Sequence, residues 1–131
     1  MLISNPDYIV FTCLLIEYKH LLNKNEQHER PQIMLFLNDK EIKVYKLERN
    51  LTKSKSPENE GLSFVLIEVI KITEIITIIT RKQTKNIVTI QFTSDLFGKT
   101  QIIIDLITDV DSKSFISKTK AIIEKDKNII K

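Results

Sequence analysis

The chain has 131 residues, 42% hydrophobic and 28% charged, and a net charge of +3 at pH 7. That length predicts one domain, residues 1–131, able to bury a core and stay soluble. The charge is too mild to mark a nucleic-acid protein, and a single alanine, Ala121, argues against a helical bundle.

Residues 8–18, YIVFTCLLIEY, are apolar, aromatic and β-branched and predict a first strand. The apolar part falls far short of the ~20 residues that cross a bilayer, and its flanks do not read as a secretory signal. Cys13 lies inside this run, so it reads as a small core residue in a reducing, intracellular setting.

Residues 19–31 form a polar connection. In residues 32–38, Ile33, Leu35 and Leu37 alternate with polar ends, and Asn38-Asp39-Lys40 predicts a tight turn, because Asn and Asp tolerate left-handed backbone. Residues 41–48 return as a strand, with Ile42 and Val44 inward and Lys43 and Tyr45 outward. Residues 49–61, RNLTKSKSPENEG, have no periodicity and predict a loop.

Residues 62–107 are dominated by Ile, Val, Leu, Phe and Thr, which suit a pleated, half-buried surface. Val88, Ile90 and Phe92 share one face, as do Ile102, Ile104 and Leu106. A charged turn at 81–86 and a glycine turn at 94–100 divide this stretch. Beyond Thr108, Asp109 and Asp111 are placed to cap a helix over about 111–126. Its buried face would carry Phe115, Ile116, Thr119, Ile122 and Ile123, and its solvated face Lys113, Lys118, Lys120 and Lys125.

The predicted fold class is therefore mainly β (α+β). About seven antiparallel strands span 8–107 in a bent sandwich or partly open barrel, closed by one C-terminal amphipathic helix.

This order resembles the pleckstrin-homology-like superfamily. PQIMLFLNDKEIKVYKLE resembles its second-third hairpin, nearest the myosin tail-homology and GRAM-like branches. VIKITEIITI resembles the fourth-to-fifth transition, and DLITDVDSKSFISKTKAII the last strand running into the helix. Many members carry a Trp in that helix; this chain has none, and Phe115 would fill the place. The resemblance implies a non-catalytic module that docks a protein partner or serves as a scaffold subunit of a larger assembly. The alternative is weak phosphoinositide or anionic-membrane binding at a peripheral site.

No catalytic constellation stands out. The two glycines are far apart, so no glycine-rich phosphate loop exists. No serine sits in a nucleophile elbow. His20 and His28 flank one loop with Glu26 and Glu29, at a spacing that matches no structural zinc site. No cofactor, metal or small-molecule substrate is expected. Nucleic acid is not expected either, because no aromatic ladder accompanies the basic residues.

The binding candidates are basic. Lys19, Lys24, Arg30, Lys43, Lys53 and Lys55 are the expected anionic-lipid set, and Arg81, Lys82 and Lys85 a secondary basic loop. Pro31-Gln32 follow Arg30 where phosphoinositide-binding members place a second Arg. Lone lysines offer a diffuse attraction of ~1 kcal/mol each near an anionic surface.

Overall fold

The computed structural model describes residues 8–19, 30–49, 62–80, 83–84 and 86–129. The seven strands are β1 (Ile9–Glu17), β2 (Gln32–Leu37), β3 (Glu41–Arg49), β4 (Leu62–Lys71), β5 (Ile75–Thr80), β6 (Ile87–Ser94) and β7 (Gly98–Asp105). A three-residue 3-10 helix, Ile72–Glu74, joins β4 to β5, and helix α1 runs Asp109–Ile129. The strands form one antiparallel sheet in the order β4-β3-β2-β1-β7-β6-β5. The sheet does not close: β4 and β5, adjacent in sequence, lie at its two ends.

The alternation read from sequence sets the inner face. Cys13 and Leu15 of β1, Ile33, Leu35 and Leu37 of β2, and Ile42 and Val44 of β3 are buried. So are Val88, Ile90 and Phe92 of β6, and Ile102 and Ile104 of β7, with Leu106 just beyond it. A period of two supplies that pattern, because successive side chains point to opposite faces of a strand.

Helix α1 plugs this curled sheet. Phe115 is fully buried and meets the Phe11 ring edge-on, with centroids 5.3 Å apart at 89°. Thr119 is buried on the same face, Ile116, Ile122 and Ile123 pack against the core, and the helix rests on the 3-10 segment. Lys113, Lys118, Lys120 and Lys125 are exposed, as the 3.6-residue period requires.

Two local expectations are corrected. The helix begins at Asp109, earlier than expected, and its cap is Thr108, not either aspartate. The Thr108 Oγ1 accepts from the Asp111 N–H at 3.1 Å, while Asp109 and Asp111 occupy the first turn, where they favour the positive end of the helix. At the β2–β3 hairpin neither Asn38 nor Asp39 adopts a positive φ. Asn38 instead accepts the N–H groups of Lys40 and Glu41 on its side-chain oxygen, both at 2.8 Å, so its short amide closes the turn.

Among the described residues three bulges shape the sheet. Along β3–β4 the register shifts between Val44 and Tyr45, so Glu68 faces Val44 and Leu66 faces Tyr45, with Ile67 as the extra residue. Along β1–β7 the shift makes Ile16 the extra residue, and along β5–β6 it is Ile76. Each bulge bends its strand and reverses the parity beyond it.

Candidate functional site

The bulge at Ile67 decides what β4 shows to solvent. Glu68 stands level with inward-facing Val44, but Leu66 stands level with outward-facing Tyr45, and Phe64 with Leu47. Leu66 is 47% exposed and Phe64 42%. The outer face of β1–β4 thereby carries Val10, Met34, Phe36, Tyr45, Leu66 and Phe64 in neighbouring rows. Tyr8, Phe36 and Tyr45 form a chain of edge-on rings, at 6.1 and 5.2 Å. An apolar outer face of this extent is unusual on an antiparallel sheet, which ordinarily alternates polar outward.

β4 is also a terminal strand, with β3 its only strand partner among the described residues. Its segment 63–67 carries no charge. Edges left to face water are ordinarily blunted with Lys, Pro or a short length. β5, at the other end, reads Ile-Ile-Thr-Ile-Ile-Thr, with Ile76 and Ile79 exposed.

On the inside, one carboxylate ties the sheet across its unclosed seam. The buried Tyr18 hydroxyl donates to Oε2 of Glu68 at 2.5 Å, and the Ser94 hydroxyl reaches the same oxygen at 3.4 Å. The other oxygen, Oε1, accepts the Val69 N–H at 3.0 Å. Residues after β1, on β4 and at the end of β6 thus meet at one group. Burial, then the hydrogen bond to Glu68, pushes the Tyr18 hydroxyl well above its usual pKa.

The expected basic set is not one patch among the described residues. Lys19 is exposed just beyond β1. Arg30 lies 3.9 Å from Asp105 across the β1–β7 corner, in a backbone with φ 44°. Lys43 lies on the outer face of β3, 3.7 Å from Glu41, with its Nζ 5.4 Å from the centroid of the Tyr8 ring. Val10, Phe36 and Lys43 stand in one row across three strands, so Lys43 is on the order of 23 Å along β1 from Glu17 at ~3.3 Å per residue, and Lys19 lies beyond that end of the strand. Lys24, Lys53, Lys55, Arg81, Lys82 and Lys85 lie outside the described residues, as do His20 and His28.

A hollow of about 580 Å³ lies on the opposite outer face. Its floor is Gln91 of β6 and Gln101 of β7, directly opposed and joined by an Nε2–H to Oε1 bond of 3.3 Å. Glu17 and Lys19 line it from the end of β1, Lys99 and Thr100 from β7, and Ile76 from β5. A second hollow, of about 500 Å³, lies at the β7–α1 corner beside Asn86, Asp105 and Ile107. There Asn86 Nδ2 donates to the Ile107 carbonyl at 3.0 Å, and Asp105 Oδ1 accepts the Ile107 N–H at 2.8 Å.

Cys13 is buried, and desolvation first, then the negative charges of Asp105 and Asp111, pushes its thiol up to about 12. Such a thiol is a packing group, not a nucleophile. Among the described residues no group of three or more His, Cys, Asp or Glu side chains is placed to hold a metal, and no helix is long and apolar enough to cross a membrane.

Sequence reasoning missed the apolar outer face, the hollow and the Glu68 tie. The signal for the first was present in Phe64-Val65-Leu66, an unbroken apolar run where a one-faced strand would alternate. No protein-family model matches this chain, and no curated protein matches it.

Proposed function

We propose that this chain is a non-catalytic interaction module of the pleckstrin-homology-like kind, which docks a protein partner or holds a place in a larger assembly. The order of seven strands and one closing helix supports the family part of the reading. The observation that carries the docking part is the apolar outer face of β1–β4, which continues to the end strand β4. A partner that presents an apolar surface would cover Val10, Phe36, Tyr45, Phe64 and Leu66 and extend the sheet at β4 by main-chain hydrogen bonds. Aromatic groups at such a surface supply large contact area at low entropy cost.

Affinity capture from the native source tests this with two matched variants. Phe64→Asp with Leu66→Asp places charge on the outer face; Lys118→Asp with Lys120→Asp alters the solvated side of α1. The reading requires a protein that the wild type and the helix variant retain and the β4 variant loses, with circular dichroism unchanged. Equal retention by all three contradicts it.

A second reading, weak attraction to an anionic membrane, is supported by Lys19, which is exposed beside Lys99 at one hollow. Co-sedimentation with anionic vesicles at low and at physiological salt tests it. Absence of binding at low salt ends it, because screening is then minimal.

A further inference from the structure

We infer that the occupant of the β4 edge is a second copy of this chain, paired antiparallel to the first about a twofold axis at Phe64. The inference rests on the reading of that edge as a docking site and names what docks there.

The edge offers one straight stretch. Leu62–Leu66 pair with Arg49–Tyr45 of β3 without a break, and the extra residue Ile67 bends the strand beyond them. On the side away from β3, the main chain of β4 has no strand partner among the described residues. Phe64, Val65 and Leu66 are all exposed.

The stretch reads Leu-Ser-Phe-Val-Leu. An antiparallel copy meets a strand in reverse order. Such a pair sets Leu62 opposite Leu66, Ser63 opposite Val65 and Phe64 opposite itself, with no charge at any position. Directly opposed residues share a face, so the axis must fall on a residue and not between two.

Charge selects the residue. On the inner face, β3 sets Lys46 opposite Val65 and Glu48 opposite Ser63. An axis at Phe64 continues the row Lys46–Val65 into Ser63 and Glu48 of the second copy. Each of the two symmetric rows then ends in a lysine on one side and a glutamate on the other. An axis at Val65 would place Lys46 of both copies in one row, and an axis at Ser63 would do the same for Glu48; like charges oppose both. On the outer face, the Phe64 axis continues Leu47–Phe64 into Phe64 and Leu47 of the copy, and cross-strand aromatic pairs of this kind are stabilising. A partner of another sequence would have to reproduce this pattern; a second copy carries it already. Five paired residues cover less than the ~1,200 Å² of a standard interface, so half-dimerisation is expected on the order of 100 µM.

Sedimentation velocity of the full chain between ~10 µM and ~1 mM should show monomer passing to dimer. Phe64→Asp with Leu66→Asp should weaken this association about tenfold or more, because charge on an edge strand opposes pairing. Disulfide trapping with copper-phenanthroline reads the register, and Cys13 is buried, so it does not compete. Residue 64 should meet its copy at ~4.5–5.5 Å between Cα atoms, within reach of a disulfide, so Phe64→Cys should trap a dimer. Since that substitution also removes a ring, Ser63→Cys combined with Val65→Cys gives a second reading. The pair should trap a dimer, whereas either substitution alone should trap no faster than Lys118→Cys on α1. A chain still monomeric at ~1 mM, a dimer indifferent to the β4 aspartates, or trapping by the 63/65 pair no faster than at 118 overturns the inference. A monomeric chain that still retains a protein through Phe64 and Leu66 overturns this inference alone and leaves the docking reading standing. A dimer of this register supports it, whatever else the chain captures.

Discussion

The Tyr18 hydroxyl donates to the Glu68 carboxylate at 2.5 Å, across 50 positions of sequence. Tyr18 follows β1, in the middle of the strand order, while Glu68 lies on the end strand β4; Ser94 reaches the same oxygen from β6, across the seam that the sheet's hydrogen bonds leave unclosed. Removing one partner leaves the other short of one hydrogen bond in a partly desolvated place. Tyr18→Phe should therefore cost ~1–3 kcal/mol in denaturant unfolding, and Glu68→Leu a similar amount. The double variant should cost clearly less than the sum, because the two losses share one interaction. Additive losses would show that the contact contributes nothing of its own.

The corner between β7 and α1 is held in a conformation its residue resists. Ile107 has φ 71°, a left-handed backbone that a β-branched residue rarely adopts. Asn86 and Asp105 hold it through its carbonyl and its N–H. The side chain is 51% exposed, so little burial is lost on removing it. Ile107→Gly should stabilise the chain by ~0.5–1 kcal/mol. Asn86→Ala should destabilise it by ~1 kcal/mol. Thermal melts of the two variants shifting in opposite directions would bear this out.

Helix α1 presents one favourable and one unfavourable contact to the core. Phe115 is fully buried, and Phe115→Ala should cost ~3–5 kcal/mol. Thr119 is also fully buried, yet its Oγ1 has no hydrogen-bond partner among the described residues. Thr119→Val keeps the branched shape and removes the desolvated hydroxyl, so it should raise stability by ~1 kcal/mol and the melting temperature by a few degrees. A lower melting temperature would mean that the hydroxyl is satisfied in solution.

Alkaline pH should weaken the fold in two stages. Cys13 is raised from 9.0 to about 12 by burial, so the folded chain keeps a proton that the unfolded chain releases. Its contribution is complete below pH 9 and is lost as pH rises towards 12, at about 1.4 kcal/mol per pH unit for one proton. Tyr18 is also raised, from 10.0, so its loss begins one unit later. Denaturant melts between pH 8 and 10 should show a slope that Cys13→Ala abolishes, whatever that variant does to stability at neutral pH.

The inner face of this sheet was legible in sequence where branched apolar or aromatic residues recur at every second position, at Ile33, Leu35 and Leu37, at Ile42 and Val44, at Val88, Ile90 and Phe92, and at Ile102 and Ile104. The outer face was not. Counting in twos from inward-facing Ile70 puts Glu68 and then Leu66 on the inner face. The extra residue Ile67 breaks that count, keeps Glu68 inside, and turns Leu66 and Phe64 to solvent. A bulge within Leu-Ile-Glu-Val leaves no compositional mark, since every neighbour is equally at home in a strand. Arg30 shows a second limit. Its charge was visible, but its ion pair with Asp105 comes from residues 75 positions apart, meeting where β1 pairs with β7.

The central claim is that the outer face of β1–β4 is where another protein sits. Photo-cross-linking tests it most directly, with a benzophenone-bearing residue placed at Leu66 in one version of the chain and at Lys118, on the solvated side of α1, in another. Both positions are exposed. In the native source, the residue at 66 should join the chain to one discrete protein, and the residue at 118 should not. A ladder common to both positions, or no adduct from 66, would contradict the account.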